Sequence, residues 1–145
     1  MTKSPTPVAF FDRTYDETLL LIREAREYFA ERQGQSASVS RAAVELVTSC
    51  ESMRLTARLT QIMAWLLVQK AVHAGELTRD DAVKPEHRLG GRNVCEIEGP
   101  WSELGLPQRL QALLSRSLSL YNRVARLDDM AAGLATGPGL PATRH

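Results

Sequence analysis

Apolar and polar positions along this chain fall into three blocks with the 3.6-residue period of amphipathic helices. In the first, Leu19, Ile22, Ala25 or Arg26, and Phe29 recur at helical spacing, with Leu21 and Tyr28 widening the stripe. Thr14-Tyr15-Asp16-Glu17 ahead of it reads as a capping box, in which the Thr14 hydroxyl accepts a backbone N–H and Glu17 reaches back. Gly34, with Arg32 in the last turn, supplies a stop, so the spacing predicts a helix over 15–33. The second block has no glycine or proline from Val39 to Ala74 and predicts one very long helix over 39–74, closed at Gly75 with Lys70 and His73 suited to its negative end. Such a helix measures roughly 52 Å at 1.5 Å per residue. The third block opens at Pro107, a good first helical residue. Leu110, Leu113, Ser117, Leu120, Val124, Leu127 and Ala131 form its seam, widened by Leu114, Leu118 and Tyr121, and the helix spans 107–132.

The connections complete the predicted organisation. Only Gln35-Ser36-Ala37-Ser38 separates the first two helices, which makes them antiparallel neighbours. Residues 75–106 read as a long loop with one short helix opened by Thr78-Arg79-Asp80-Asp81, with Gly90-Gly91 and Gly99-Pro100 further on and Trp101 as the anchor where it returns to the core. Residues 1–13 and 133–145 read as flexible ends around a single domain, 14–132. The fold class is all-α, an antiparallel three-helix bundle with one very long central helix.

That central helix has two apolar faces. Leu46, Cys50, Met53, Ala57, Thr60, Ala64, Leu67 and Ala71 form one seam, with steps of four and three and several small residues. Leu55, Leu59, Ile62 and Leu66, continued by Gln69 and His73, form a second. Positions 53 and 55 lie about 200° apart around the axis, so the seams are on roughly opposite sides. One is expected to pack within the subunit and the other to meet a second subunit in an isologous homodimer, the alternative being a monomer in which the first and third helices clasp the second from both sides.

Composition narrows the function classes. Lys and Arg total 18 against 17 Asp and Glu, a formal net charge of +1, so nothing electrostatic points to nucleic acid or an anionic membrane. Cys50 and Cys95 stand far apart in no motif, as in a reducing compartment, and the run from Ile62 to Val68 is too short to span a bilayer. MTKSPTPVAFFDR lacks the apolar stretch of a signal peptide, and a cytoplasmic location is expected.

Candidate chemistry is sparse. Glu51, Arg54 and Arg58 sit at i, i+3 and i+7 and could bind a dicarboxylate, as in small helical mutases, but an ion-paired strip on a helix flank is the simpler reading. Cys50, Cys95, His73 and His87 show no metal-ligand spacing, and Cys50 reads as a packed core thiol. No serine has an elbow motif, and Gly90-Gly91-Arg92 is no phosphate loop. Neither a catalytic residue nor a cofactor or metal is expected. Arg109, Arg116, Arg123 and Arg126 form a basic flank on the third helix. It is a candidate surface for an acidic protein partner, with a DNA-associated regulator as the alternative.

The stretch Glu51-Ser52-Met53-Arg54-Leu55-Thr56-Ala57-Arg58-Leu59, followed by Ala64-Trp65-Leu66-Leu67 and Gly75-Glu76-Leu77-Thr78, resembles the alphaproteobacterial regulator-of-CtrA-degradation family. Leu106-Pro107, Ser115 to Leu118 and Arg123-Val124-Ala125-Arg126-Leu127-Asp128 continue the likeness, which covers the chain from about Val44 to Asp129. The resemblance implies a dimeric three-helix protein without catalysis of its own. It implies an adaptor that brings cell-cycle regulators to the ClpXP protease together with an upstream response-regulator-type adaptor. The family's motifs here are packing motifs, so no partner-binding residue carries over.

Overall fold

A computed structural model describes residues 7–33, 42–97 and 105–136. Among these residues every regular element is helical: α1 (Pro7–Gln33), α2 (Ala42–His73), α3 (Arg79–Ala82), α4 (Arg92–Cys95) and α5 (Gln108–Thr136), with a 3-10 turn at Pro85–His87.

Helix α1 begins at Pro7, seven residues before the expected cap, and so takes in half of the segment expected to be flexible. Proline at the first helical position loses no hydrogen bond, because that N–H has no partner in the helix. Thr14 lies inside the helix with its carbonyl accepting from the Thr18 hydroxyl at 2.7 Å, and Glu17 pairs with Arg123 instead of reaching back. Both threonines are buried, and with Leu21, Ala25 and Tyr28 they form the stripe that meets the core. That stripe is rotated from the one expected through Leu19, Ile22 and Phe29. A threonine that bonds its own helix backbone tolerates burial, and so counts as core despite its polarity.

Helix α2 ends as expected. Gly75 takes φ +80, its N–H reaches the Val72 carbonyl at 3.1 Å, and the Glu76 N–H reaches Ala71 at 2.9 Å, the two bonds of a Schellman motif. Thr78 and Asp81 then cap α3 reciprocally, also as expected. Helix α5 passes through Gly133 to Thr136, beyond the expected end at 132. Trp101, Gly34 and the polar link after it, residues 39–41 at the expected start of α2, and the tail from 137 lie outside the described residues.

Contacts between the long helices fix their directions. Arg32 pairs with Glu45 near one end of the α1–α2 pair, while Lys70 and Asp12 approach to 3.7 Å near the other, so these helices are antiparallel. On α5, Arg109 pairs with Glu31, Arg116 with Glu24 and Arg123 with Glu17, so α5 is also antiparallel to α1. Helices α2 and α5 therefore run parallel, and Arg58 beside Leu114 and Trp65 beside Asp128 agree with this. Parallel neighbours cannot be joined by a tight turn. The chain must return along the pair, and of the segment expected as loop the described residues up to 97 do so, with three short helical turns among them rather than one.

The core lies between α1 and the α2–α5 pair. Leu55, Leu59, Ile62 and Leu66 of α2 are buried against Leu110, Leu114, Tyr121 and Val124 of α5 and Leu21 and Tyr28 of α1. At roughly 1.5–3 kcal/mol per large side chain removed from water, this shared core is the main stabilising term. The face of α2 with larger residues is thus the inner one. His73, expected at its end, is exposed and its ring lies 5.4 Å from that of Phe11.

Candidate functional site

The charged trio on α2 does not form a solvated strip. Glu51 and Arg54 pair with each other, and Arg54 Nε donates to the Val94 carbonyl at 3.1 Å. Arg58 is fully buried. Its Nε donates to the Cys95 carbonyl at 2.7 Å, its terminal nitrogens to the carbonyls of Ile97 at 2.6 Å and Leu114 at 3.0 Å, and to Ser117 Oγ at 3.3 Å. An arginine fits this place because its planar fork presents five donors and has a less costly desolvation than an ammonium. Its donors are directed at main-chain oxygens of the returning segment and α5. Among the described residues the trio does not converge with charges of another helix in an open pocket, as a dicarboxylate site would require.

The returning segment is fastened along its length by polar groups. Gln61 Oε1 accepts from the Gly90 N–H at 3.2 Å, and the Tyr121 hydroxyl donates to the Gly90 carbonyl at 2.5 Å. A Cβ at position 90 would lie 2.9 Å from Gln61 Oε1, so a side chain there would push that amide away from the Gly90 N–H. Farther along, buried Asp128 accepts from Trp65 Nε1 at 3.0 Å, Arg88 Nε at 2.8 Å and Arg92 at 3.1 Å. Asp129 receives the same two arginines at 3.1 and 2.9 Å. Burial raises the pKa of Tyr121 and of the Cys95 thiol above their ordinary values, keeping both neutral. In the sequence Asp128 and Gln61 have no role here, and Arg88 and Arg92 read as part of a mixed-charge loop open to a partner, whereas they pair with Asp128 and Asp129. The available signal was Trp65, since a buried indole N–H needs an acceptor.

The seam of α2 that runs from Leu46 to Ala71 looks outward. Leu46 is 67% exposed, Met53 73% and Leu67 51%; Cys50, Thr60 and Ala64 are exposed, and Ala57 and Ala71 are half-buried. None of the eight belongs to the buried core, and Cys50 is no packed core thiol. Glu51, Arg54 and Arg58 are the charged residues between Leu46 and Val68, and they serve the returning segment, so this stretch of the outward face of α2 carries no charge of its own, although Arg26 of α1 lines the groove beside it. Two grooves run along it. The larger, about 780 Å³, lies between Ile22, Arg26 and Phe29 of α1 and Thr60, Met63 and Leu67 of α2, with Ala64 also lining it. The smaller, about 570 Å³, lies beside Phe29, Met53 and Ala57.

The basic flank of α5 is mostly engaged within the molecule. Arg109, Arg116 and Arg123 pair with Glu31, Glu24 and Glu17 of α1 because the two helices run antiparallel at matching spacing. Arg126 is exposed and has no ion pair among the described residues. The described residues contain no group of three metal-ligating side chains and no helix long and apolar enough to cross a membrane.

Comparison with known proteins places this architecture. A family described as "Protein of unknown function (DUF1465)" matches residues 4–139. Among solved structures, that of RcdA from Caulobacter crescentus CB15 is similar, with 36% sequence identity, a TM-score of 0.60, and coverage of 83% of this chain and 89% of that one. No curated protein matches. The match across nearly the whole chain agrees with the resemblance of the Glu51–Leu59 block, and the chain belongs to the regulator-of-CtrA-degradation family.

Proposed function

We propose that this protein is a non-enzymatic, cytoplasmic adaptor that helps deliver cell-cycle regulators to the ClpXP protease, working as a homodimer together with a response-regulator-type adaptor. The observation that carries the reading is the uncharged, outward apolar face of α2 in a molecule whose charge clusters are engaged in holding its own segments together. Such a face serves protein association, since contiguous exposed apolar surface is costly to leave wet. Membership of the regulator-of-CtrA-degradation family supports a role in regulated proteolysis with protein partners. Within the basic flank, Arg126, exposed and without an ion pair among the described residues, is a cation an acidic partner surface could meet.

The test is proteolysis in the native host. Deleting the gene is expected to lengthen the half-life of at least one ClpXP substrate, and restoring the full chain to shorten it again. Normal half-lives for every ClpXP substrate, with no association with ClpX or a response-regulator-type protein, would overturn the adaptor reading.

A further inference from the structure

We propose that the edge where α1 and α5 meet, around Arg13 and Arg126, is a docking surface for an acidic, amphipathic helix of a partner protein. This deepens the adaptor reading above and rests on it.

The ladder between these helices has one register, in which residue i of α1 meets residue 140 − i of α5. Its rungs recur every seven residues on both helices and end at Glu17 and Arg123, because the next α5 position is Met130. One turn past that last rung, α1 carries Arg13 and α5 carries Arg126. Spacings of four from Glu17 and three from Arg123 set both arginines on the ladder's side of their helices. The register puts Arg13 opposite position 127, so the two stand at one level. Both are exposed, and neither has an ion pair among the described residues. Along the ladder each guanidinium has a carboxylate; here a cation meets a cation. Asp16, three residues from Arg13, offsets one of the two charges, which leaves a net +1 for an incoming carboxylate to neutralise.

Apolar side chains flank this level. Leu20, 48% exposed, lies three residues inside the last rung, and Met130, 62% exposed, lies four residues beyond Arg126. A single exposed apolar residue is ordinary. Here one stands at each end of the cationic level, and the register places Leu20 opposite position 120. The two are therefore ten residues apart along α5, about 15 Å. A partner helix of three turns spans that distance. With apolar residues at i and i+11 it meets Met130 and Leu20, and with carboxylates at i+3 and i+4 it meets the arginines. No residue of α2 contributes to this edge, so the site does not depend on how the outward seam is occupied.

The test uses the full chain and a helical peptide of about 15 residues, with leucines at i and i+11 and glutamates at i+3 and i+4. Its twin carries glutamine in place of glutamate. Fluorescence anisotropy at low salt is expected to give a dissociation constant on the order of 100 µM for the acidic peptide, and binding about 10-fold weaker or more for the twin. Arg13→Glu combined with Arg126→Glu is expected to lose this preference and to bind a lysine version of the peptide instead. Equal affinity for the acidic and glutamine peptides, no saturable binding, or tighter binding of a DNA duplex at the same salt would overturn the proposal. Proteolysis in the native host then separates the site from the adaptor reading. Loss of substrate turnover in the double variant, with its urea midpoint unchanged, supports the site. Turnover equal to that of the original chain overturns the site and leaves the adaptor reading standing. Normal half-lives in the deletion strain overturn the adaptor reading instead, and the peptide pattern alone then decides the site.

Discussion

Arg58 is a cation in the core whose role is to hold main chain. With its guanidinium donating to three carbonyls and a serine hydroxyl, truncation leaves buried acceptors unsatisfied and opens a cavity of side-chain size. Arg58→Met is expected to destabilise the protein by about 3 kcal/mol or more. Arg58→Lys is expected to recover only part of this, because one ammonium cannot reach acceptors on both the returning segment and α5. Urea denaturation of the three proteins checks both statements; equal midpoints would contradict this role. The identity of this residue was legible in the sequence but its place was not. Charge argues for a solvated flank, and only the carbonyls of residues distant in the chain make burial tolerable. Thr14, Thr18 and Asp128 were obscured for the same reason: each is polar and buried, with its partners supplied by the fold.

Among the elements, the long helices were largely legible because their apolar periods run for many turns. Capping at Thr78 and closure at Gly75 were legible because local backbone chemistry decides them. The α1 start was missed because Thr14-Tyr15-Asp16-Glu17 satisfies a capping pattern that an earlier proline made unnecessary. The returning segment was missed because it has no apolar period; its buried apolar residues are few, with Ala82, Leu89 and Cys95 among them, and polar anchors elsewhere fasten it. Asp128 is the hub of those anchors, so Asp128→Asn is expected to loosen the segment while the three long helices persist. Cys95 is the reporter, being buried, with its thiol held neutral, and Cys50 the exposed reference. A thiol reagent is expected to modify Cys95 at least about 10-fold faster in the variant, with the Cys50 rate and helical signal unchanged. Acceleration only in step with global unfolding would contradict a separately fastened segment. The α3 cap has its own signature. Hydrogen bonds from Lys84 and Thr78 hold the Asp81 carboxyl down to about 2, against an ordinary 3.8. A depressed acid contributes stability that is complete above its ordinary value and lost as pH falls through about 2. The Asp81 carboxyl carbon, followed by NMR, is expected to titrate with that midpoint.

For the whole molecule, the parallel course of α2 and α5 decides which surfaces remain for partners. It sends the chain back along the α2–α5 crease, places α1 on the opposite side, and leaves one apolar face of α2 uncovered between them. It also sets the arginines of α5 against the glutamates of α1, so a row that looks like a docking surface in the sequence becomes an inter-helix ladder. Each pair is partly solvated, and exposed ion pairs contribute only about 0–1 kcal/mol, weakened further by salt. Arg116→Ala combined with Arg123→Ala is therefore expected to lower stability by at most about 2 kcal/mol, with less effect at high salt. Under the proposed adaptor function, an assay of protease delivery separates the two roles of these arginines. If their work is to pair with α1, the double variant delivers substrate within about two-fold of the original chain, and reversing Glu17 and Glu24 to arginine mimics its stability loss. If they bind a partner, delivery falls far below that while the urea midpoint scarcely moves. The ladder geometry favours the first outcome, because a carboxylate of the same molecule already lies beside each guanidinium and an incoming acidic surface must displace it. Arg126 provides the contrast. With no intramolecular pair among the described residues to lose, Arg126→Glu is expected to leave the denaturation midpoint unchanged, so any loss of delivery in that variant reports a partner contact directly.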